Sequence, residues 1–156
     1  MSDHLEVRGC VLPLDLHYDV SENTWIRVHD DGTATVGMTD VAQNLAGELL
    51  HAKPKKVGAL RKRGKPVATV ESSKWVGPVK SPITGEVIEV NEELSKDATI
   101  VNRSPYKNGW IVKMQPTNLE EELQSLLTGQ PAVDAYRERI EKEDIKACEH
   151  VAGFEI

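Results

Sequence analysis

The stretch that decides the fold reads Val70-Glu71-Ser72-Ser73-Lys74-Trp75-Val76-Gly77-Pro78-Val79, followed by Ser81-Pro82-Ile83-Thr84-Gly85 and Glu86-Val87-Ile88-Glu89-Val90. Pro66–Val70 alternates apolar and polar residues, the period-2 pattern of a strand. Glu71–Lys74 is polar and turn-like. Trp75–Val79 resumes an extended, apolar character. Ser81–Gly85 is a second turn, and Glu86–Val90 is a further strand with its polar residues on one face. This order places one lysine, Lys74, at a hairpin tip projecting into solvent. Lysines are common at exposed positions, so spacing alone does not mark Lys74 for modification.

The neighbouring segments carry the same grammar. Trp25–His29 and Thr33–Gly37 are β-type runs joined through Asp30-Asp31-Gly32, a hairpin signal. Thr39 and Asp40 offer an N-cap to a short helix through Leu45, with Gly47 in the usual C-terminal place. Leu49–His51 and Trp110–Met114 read as strands, the latter after the Asn108-Gly109 turn. Near the start, Val11, Leu14 and Leu16 suggest a short edge strand interrupted at Pro13. At the other end, Asn118 heads a helix with Glu120, Glu121 and Glu122 at its positive dipole end. Leu119, Leu123, Leu126 and Leu127 form its stripe, and it is expected to stop at Thr128-Gly129. Pro131 suits the first turn of a last helix bearing Val133, Tyr136 and Ile140. The tail Ala147–Ile156 is expected to be loose. Many short strands with Gly, Pro and Asn turns, then C-terminal helices, give a mainly β class: a small barrel or sandwich with helical trim. The expected division is a main domain over 1–130, with 131–156 a helix and tail packed on it or extending from it.

Composition bounds the function. With 156 residues the chain has room for one ordinary domain. It lacks the run of about 18 apolar residues that a membrane helix needs. Met1–Cys10 is mixed and polar, unlike a secretory signal, so a cytoplasmic location is expected. The formal net charge of −6 hides an asymmetry: Lys53–Lys65 holds seven cations and no acid. Such a stripe suits an anion, a nucleic acid or an acidic partner, or is a solvated loop whose lysines discourage edge pairing. Cys10 and Cys148 form no Cys-x-x-Cys pair, and a cytoplasmic location favours free thiols. The five histidines show no metal-binding spacing, and there is neither a phosphate-binding glycine loop nor a Gly-x-Ser-x-Gly elbow. No catalytic constellation emerges, so an enzyme is not expected.

Taken together, Val70–Lys74, Ser81–Val87 and Val90-Asn91-Glu92 resemble the lipoyl hairpin of glycine cleavage H proteins. Thr33–Asp40 with Ala42-Gln43, Ser104-Pro105-Tyr106 and Gly109–Lys113 resemble other stretches of that family, in the same order, so the similarity runs from about Trp25 to Tyr136. The resemblance implies a barrel-sandwich hybrid of the lipoyl/biotinyl-domain type. It implies lipoic acid amide-linked to Lys74, with Glu71 assisting attachment and Gly85 matching the glycine of the following turn. Biotin carriers place Ala-Met-Lys-Met at the tip, and Ser73-Lys74-Trp75 lacks both methionines.

Some residues depart from the family. Trp75-Val76-Gly77-Pro78 replaces the small residues and Ser-Asp that usually follow the lysine, and Lys53–Lys65 is basic where the family tends to be acidic. These departures resemble the H-protein-like lipoate-binding proteins of sulfur oxidation. Under that reading the arm carries sulfur-bound intermediates and electrons, with a lipoate ligase, a heterodisulfide-reductase-like complex and dihydrolipoamide dehydrogenase as partners. The alternative is a glycine cleavage H protein carrying an aminomethyl group between the glycine cleavage enzymes. An alternative of another class is an unmodified module binding through its basic loop. A monomer is expected, with neither membrane nor nucleic acid as partner. The basic stretch leads into the lysine-bearing strand and is therefore expected beside the tip.

Overall fold

The computed structural model describes residues 3–156. Twelve strands occur among them: β1 (His4–Val7), β2 (Cys10–Pro13), β3 (His17–Asp19), β4 (Thr24–Val28), β5 (Ala34–Met38), β6 (Leu49–Pro54), β7 (Leu60–Arg61), β8 (Pro66–Ser72), β9 (Val76–Lys80), β10 (Gly85–Val90), β11 (Val112–Pro116) and β12 (Leu127–Thr128). The helices are α1 (Asp40–Ala46), α2 (Glu93–Lys96), α3 (Ile100–Arg103), α4 (Leu119–Leu123) and α5 (Gly129–Lys142). A seven-stranded sheet runs β12-β3-β4-β5-β11-β10-β7, a three-stranded sheet runs β6-β8-β9, and β1 pairs with β2. The two larger sheets share one core, to which Ile26, Val36 and Met114 contribute from the first and Val67, Val70 and Val79 from the second. This is the barrel-sandwich arrangement that the resemblance implies, and the strand-and-turn pattern alone gave its mainly β class.

The local signals explain the elements. Gly32 takes a positive φ of 86° in the β4–β5 turn, where glycine has no Cβ penalty. Thr39 caps α1 by accepting the Ala42 N–H at 3.1 Å. Gly85 lets β10 approach β11 closely, since a Cβ there would lie 2.3 Å from the Gln115 carbonyl oxygen. Asp40, fully buried at the start of α1, accepts the Val11 N–H at 2.8 Å and a Gln43 amide N–H at 2.8 Å. Burial, above all, raises the Tyr106 hydroxyl's pKa well above the ordinary value, so it stays protonated. It donates to the Val11 carbonyl and accepts the Asp40 N–H at 2.8 Å.

Several expectations need correction. Cys10 and Cys148 are not free thiols: they form a disulfide across 138 residues. The physical reason is that the tail runs beside the β1–β2 turn, where the Cys148 N–H donates to the Arg8 carbonyl at 2.9 Å. Nor is the tail loose. Asn44 amide N–H groups donate to the Lys146 and Ala147 carbonyls, and the Asn44 side-chain oxygen accepts the Glu149 N–H. His150 Nε2 lies 2.7 Å from Asp40 Oδ2, and its ring stacks on Phe154 at 3.7 Å. The helix after Asn118 ends at Leu123, and Leu127-Thr128 instead forms an edge strand against β3. Asn118 stands at its N-cap without a side-chain capping bond.

The basic stretch is not beside the tip. Its cations flank the start of β8: Lys53 pairs in register with Thr69, and the Ser81 N–H donates to the Lys65 carbonyl. Lys74 lies beyond the other end of β8, roughly 20 Å away at 3.3 Å per strand residue. A seven-residue extended strand carries the chain from one pole to the other.

The tail yields a pH prediction. The Ser104 and Asn108 side chains donate to the Glu155 carboxylate and hold its pKa below the ordinary value. A depressed carboxylate pKa gives stabilisation that is present above the unfolded value and lost as pH falls through the folded one. The protection of the Glu155 amide against exchange, taken relative to the intrinsic rate at each pH, should therefore fall in acid, its N–H donating to the Arg103 carbonyl at 2.7 Å. In Glu155→Gln that acid step should vanish; an unchanged profile would refute the assignment.

Candidate functional site: an exposed lysine at a hairpin tip

The site is built on the β8–β9 hairpin. The Ser72 N–H donates to the Trp75 carbonyl at 2.8 Å and closes a tip whose two free residues are Ser73 and Lys74. The Ser72 hydroxyl, on a residue only 6 % exposed, receives the Lys74 N–H at 3.4 Å. β8 is the central strand of its sheet, paired with β6 on one side and β9 on the other. The tip backbone is thus rigidly presented, and Lys74 is exposed. Among the described residues, Lys74 Nζ has neither a hydrogen bond nor an ion pair. An unpaired primary amine on a stiff tip is available for acylation.

Two glycines shape the approaches to that amine. Gly47, just beyond α1, has φ 83° and ψ −177°, a region nearly restricted to glycine. A Cβ there would lie 3.0 Å from Lys74 Cε, so the lysine stem crosses this glycine. Gly77 receives the Trp75 indole: a Cβ would lie 2.3 Å from Trp75 Cζ2. The indole therefore folds back onto its own strand while remaining 42 % exposed. Neither role is visible in the sequence, because each depends on where a neighbouring side chain settles.

Gly47→Ala is predicted to destabilise by about 1–3 kcal/mol through backbone strain. It should also displace the lysine stem and slow acylation of Lys74. Denaturant unfolding and a timed acylation assay would check both; wild-type values in both would refute the contact.

Lys74 stands between two recesses. On the Trp75 side is a groove of about 450 Å³ bordered by Thr24, Met38, Leu45, Trp75 and the Glu22–Lys80 pair. Those two charges lie 3.7 Å apart. Thr24 Oγ1, behind the groove wall, is buried and has no hydrogen-bond partner among the described residues. On the opposite side is a polar recess of about 250 Å³, walled by Gly47, Lys74, Glu149 and His150.

The remaining sequence candidates sit differently. Glu71 is exposed in β8, opposite Val76 and three residues before the lysine. Gly85 starts β10 in the other large sheet, opposite Pro116 and Arg61. It lies at the basic pole, so the structure does not bring it to Lys74.

Comparison with known proteins follows the same lines. Residues 16–139 match the family model described as glycine cleavage H-protein. The chain belongs to the glycine cleavage H-protein family. It is 48 % identical over 147 residues to glycine cleavage system H protein 2 of Aquifex aeolicus, covering 94 % of this chain and 91 % of that protein. It is 43 % identical over 139 residues to a probable glycine cleavage system H protein 2 of Sulfolobus acidocaldarius, covering 88 % and 93 %. The crystal structure of a glycine cleavage system H protein from Mycobacterium marinum superposes with a TM-score of 0.70 at 29 % identity, covering 80 % of this chain and 98 % of that one.

H proteins of this family are not enzymes. They carry lipoic acid covalently on a lysine and serve multienzyme systems. The tip fits that group: an exposed, unpaired amine on a two-residue turn, between a groove and a polar recess. No helix is long and apolar enough to cross a membrane.

Proposed function

We propose that Lys74 is the lipoyl attachment residue and that the protein is a swinging-arm carrier. The observation that carries this reading is the unpaired Lys74 amine at a two-residue tip on the central strand of a sheet. The bound group would supply a dithiolane that opens to a dithiol able to hold a fragment or two electrons. The protein's own part is presentation. The β8–β9 tip presents the amine beside Gly47 at the edge of the polar recess, and tethering raises the arm's concentration at each partner's active site. Glu71, exposed on the tip's own strand, is the surface acid a lipoate ligase would meet beside the lysine. Gly85 supports the sheet rather than the arm.

The relatives' names favour a glycine cleavage cargo: an aminomethyl group passed between glycine decarboxylase, aminomethyltransferase and dihydrolipoamide dehydrogenase. The sulfur-oxidation reading with a heterodisulfide-reductase-like complex rests on the run Trp75-Val76-Gly77-Pro78 that follows the lysine. Both readings place the protein in the cytoplasm as a monomer. The deciding experiment is reconstitution of lipoylated protein with purified glycine cleavage enzymes. Glycine-dependent release of carbon dioxide supports the first reading. Its absence, when an H protein known to be active works in parallel, supports the second.

A further inference from the structure

The C-terminal tail brings a disulfide toward the arm-bearing lysine, and the carrier reading leaves this disulfide unused. Helix α1 is the ruler between them. At its last turn, Lys74 Cε crosses Gly47. At its first residue, Cys148 Sγ lies 3.6 Å from the Asp40 carbonyl oxygen. Seven residues at 1.5 Å rise separate these ends by about 10 Å. The polar recess walled by Gly47, Lys74, Glu149 and His150 opens at the Lys74 end of this path, and Cys148, the residue before Glu149, lies just beyond its wall. From Lys74 Nζ to the nearer lipoyl sulfur is a chain of seven bonds, spanning roughly 9 Å when extended. Flexion of the lysine stem adds further reach.

Resting on the assignment of Lys74 as the lipoyl lysine, we propose that the Cys10–Cys148 disulfide is an on-board electron acceptor for the reduced arm. Cys148 is the partly exposed half of the pair, whereas Cys10 is fully buried. Attack therefore falls on Cys148 Sγ. One arm thiolate bonds to Cys148 Sγ while the Cys10–Cys148 bond breaks, and Cys10 leaves as thiolate and takes up a proton. The second arm thiol then attacks the first arm sulfur and displaces Cys148, which also takes up a proton. The arm loses two electrons and two protons and closes its ring; the cysteine pair gains both and opens. No outside oxidant is needed. Opening the pair leaves the tail held by hydrogen bonds alone, so the redox state of the arm is transmitted to the wall of the recess beside it.

The test starts from lipoylated protein whose intact mass and Lys74 peptide have been checked. Absence of lipoyl on Lys74 overturns the carrier assignment and this proposal with it. The arm is then reduced with catalytic dihydrolipoamide dehydrogenase and NADH, quenched in acid, and alkylated after denaturation. The expected result is alkylated Cys10 and Cys148, appearing roughly 10²-fold faster than in Lys74→Arg protein given the same concentration of free lipoamide. An arm that is fully alkylated while the cysteine pair stays oxidised overturns the proposal and leaves the carrier assignment intact. A second variant reads proximity directly. In lipoylated Cys10→Ala, with the arm reduced and capped on one thiol by limiting alkylation so that its ring cannot re-close, mild oxidation should join the remaining arm thiol to Cys148, giving a disulfide-linked pair of peptides containing Lys74 and Cys148. Absence of that pair, with the variant folded, lipoylated and singly capped on the arm, also overturns the proposal.

Discussion

Lys74→Arg is expected to abolish lipoylation completely while leaving the fold unchanged. The substitution keeps the positive charge and most of the stem but replaces the amine that a ligase acylates with a guanidinium of far weaker nucleophilicity. Lys74 has neither a hydrogen bond nor an ion pair among the described residues, so no native interaction of the amine is lost. A surface change of this kind stays within about 0.5 kcal/mol, or a shift of about 1–2 °C in melting temperature at this chain length. The measurement is intact mass and peptide mapping of protein from cells competent in lipoylation, beside a thermal melt. Lipoyl found elsewhere in Lys74→Arg would refute the assignment, because the closed tip presents only this lysine. Glu71→Gln is a graded companion: the fold should hold and ligase turnover should fall, since the residue lies on the tip strand and is exposed.

The β8–β9 hairpin, the Thr39 cap, the Gly47 stop and the β4–β5 turn were legible because each is written in adjacent residues, although the tip is two residues, Ser73 and Lys74, and not the polar run of four, since β8 continues through Ser72. Their chemistry is local: a positive φ, a capping oxygen, an alternating face. Lys74 was legible as a site only through resemblance, since the same spacing serves any surface hairpin. What stayed hidden depends on contacts distant in sequence. Asp40 looks like a helix-start residue, yet its carboxylate also accepts the Val11 N–H, 29 residues away, and meets His150, 110 residues away. The tail has no periodicity of its own and is ordered by borrowed partners: Arg8, Asn44, Asp40 and Ser104. The basic stretch misled for a related reason. Adjacency in sequence to the lysine strand reads as proximity, but an extended strand is the longest way to connect two points.

That geometry also separates the molecule into two working ends. The amine, both recesses and the exposed Trp75 and Leu45 gather at one pole, while Lys55, Lys56, Lys62 and the exposed Val57 and Leu60 gather at the other. A partner acting on the arm therefore meets an apolar rim flanked by the exposed acids Glu48, Glu71 and Glu149, none of them in an ion pair among the described residues. Association with a basic partner surface at the tip should accordingly weaken as salt rises, and neutralising Lys55, Lys56 and Lys62 should leave that dependence intact. A steep salt dependence of partner turnover that disappears in that triple variant would show that the far pole takes part.

Removing the disulfide is expected to be the largest single loss of stability available outside the core. Cys148→Ala with Cys10→Ala should lower unfolding free energy by about 2–5 kcal/mol. The upper end follows from the loop: a cross-link spanning 138 residues removes close to the greatest chain entropy a molecule of this size can lose. Part of the loss is local. Cys10 is fully buried at the start of β2, beside Val11, whose N–H is held by Asp40. Untying the tail weakens the His150–Asp40 contact and so the support of the α1 N-terminus, on whose far end the Lys74 stem rests. Urea unfolding at matched conditions gives the magnitude. Amide exchange should show the tail opening first and the β8–β9 hairpin staying protected, because the three-stranded sheet shares no residue with the tail. A double variant as stable as the wild type, with an equally protected tail, would mean that hydrogen bonds alone order this segment and that the cross-link is redundant.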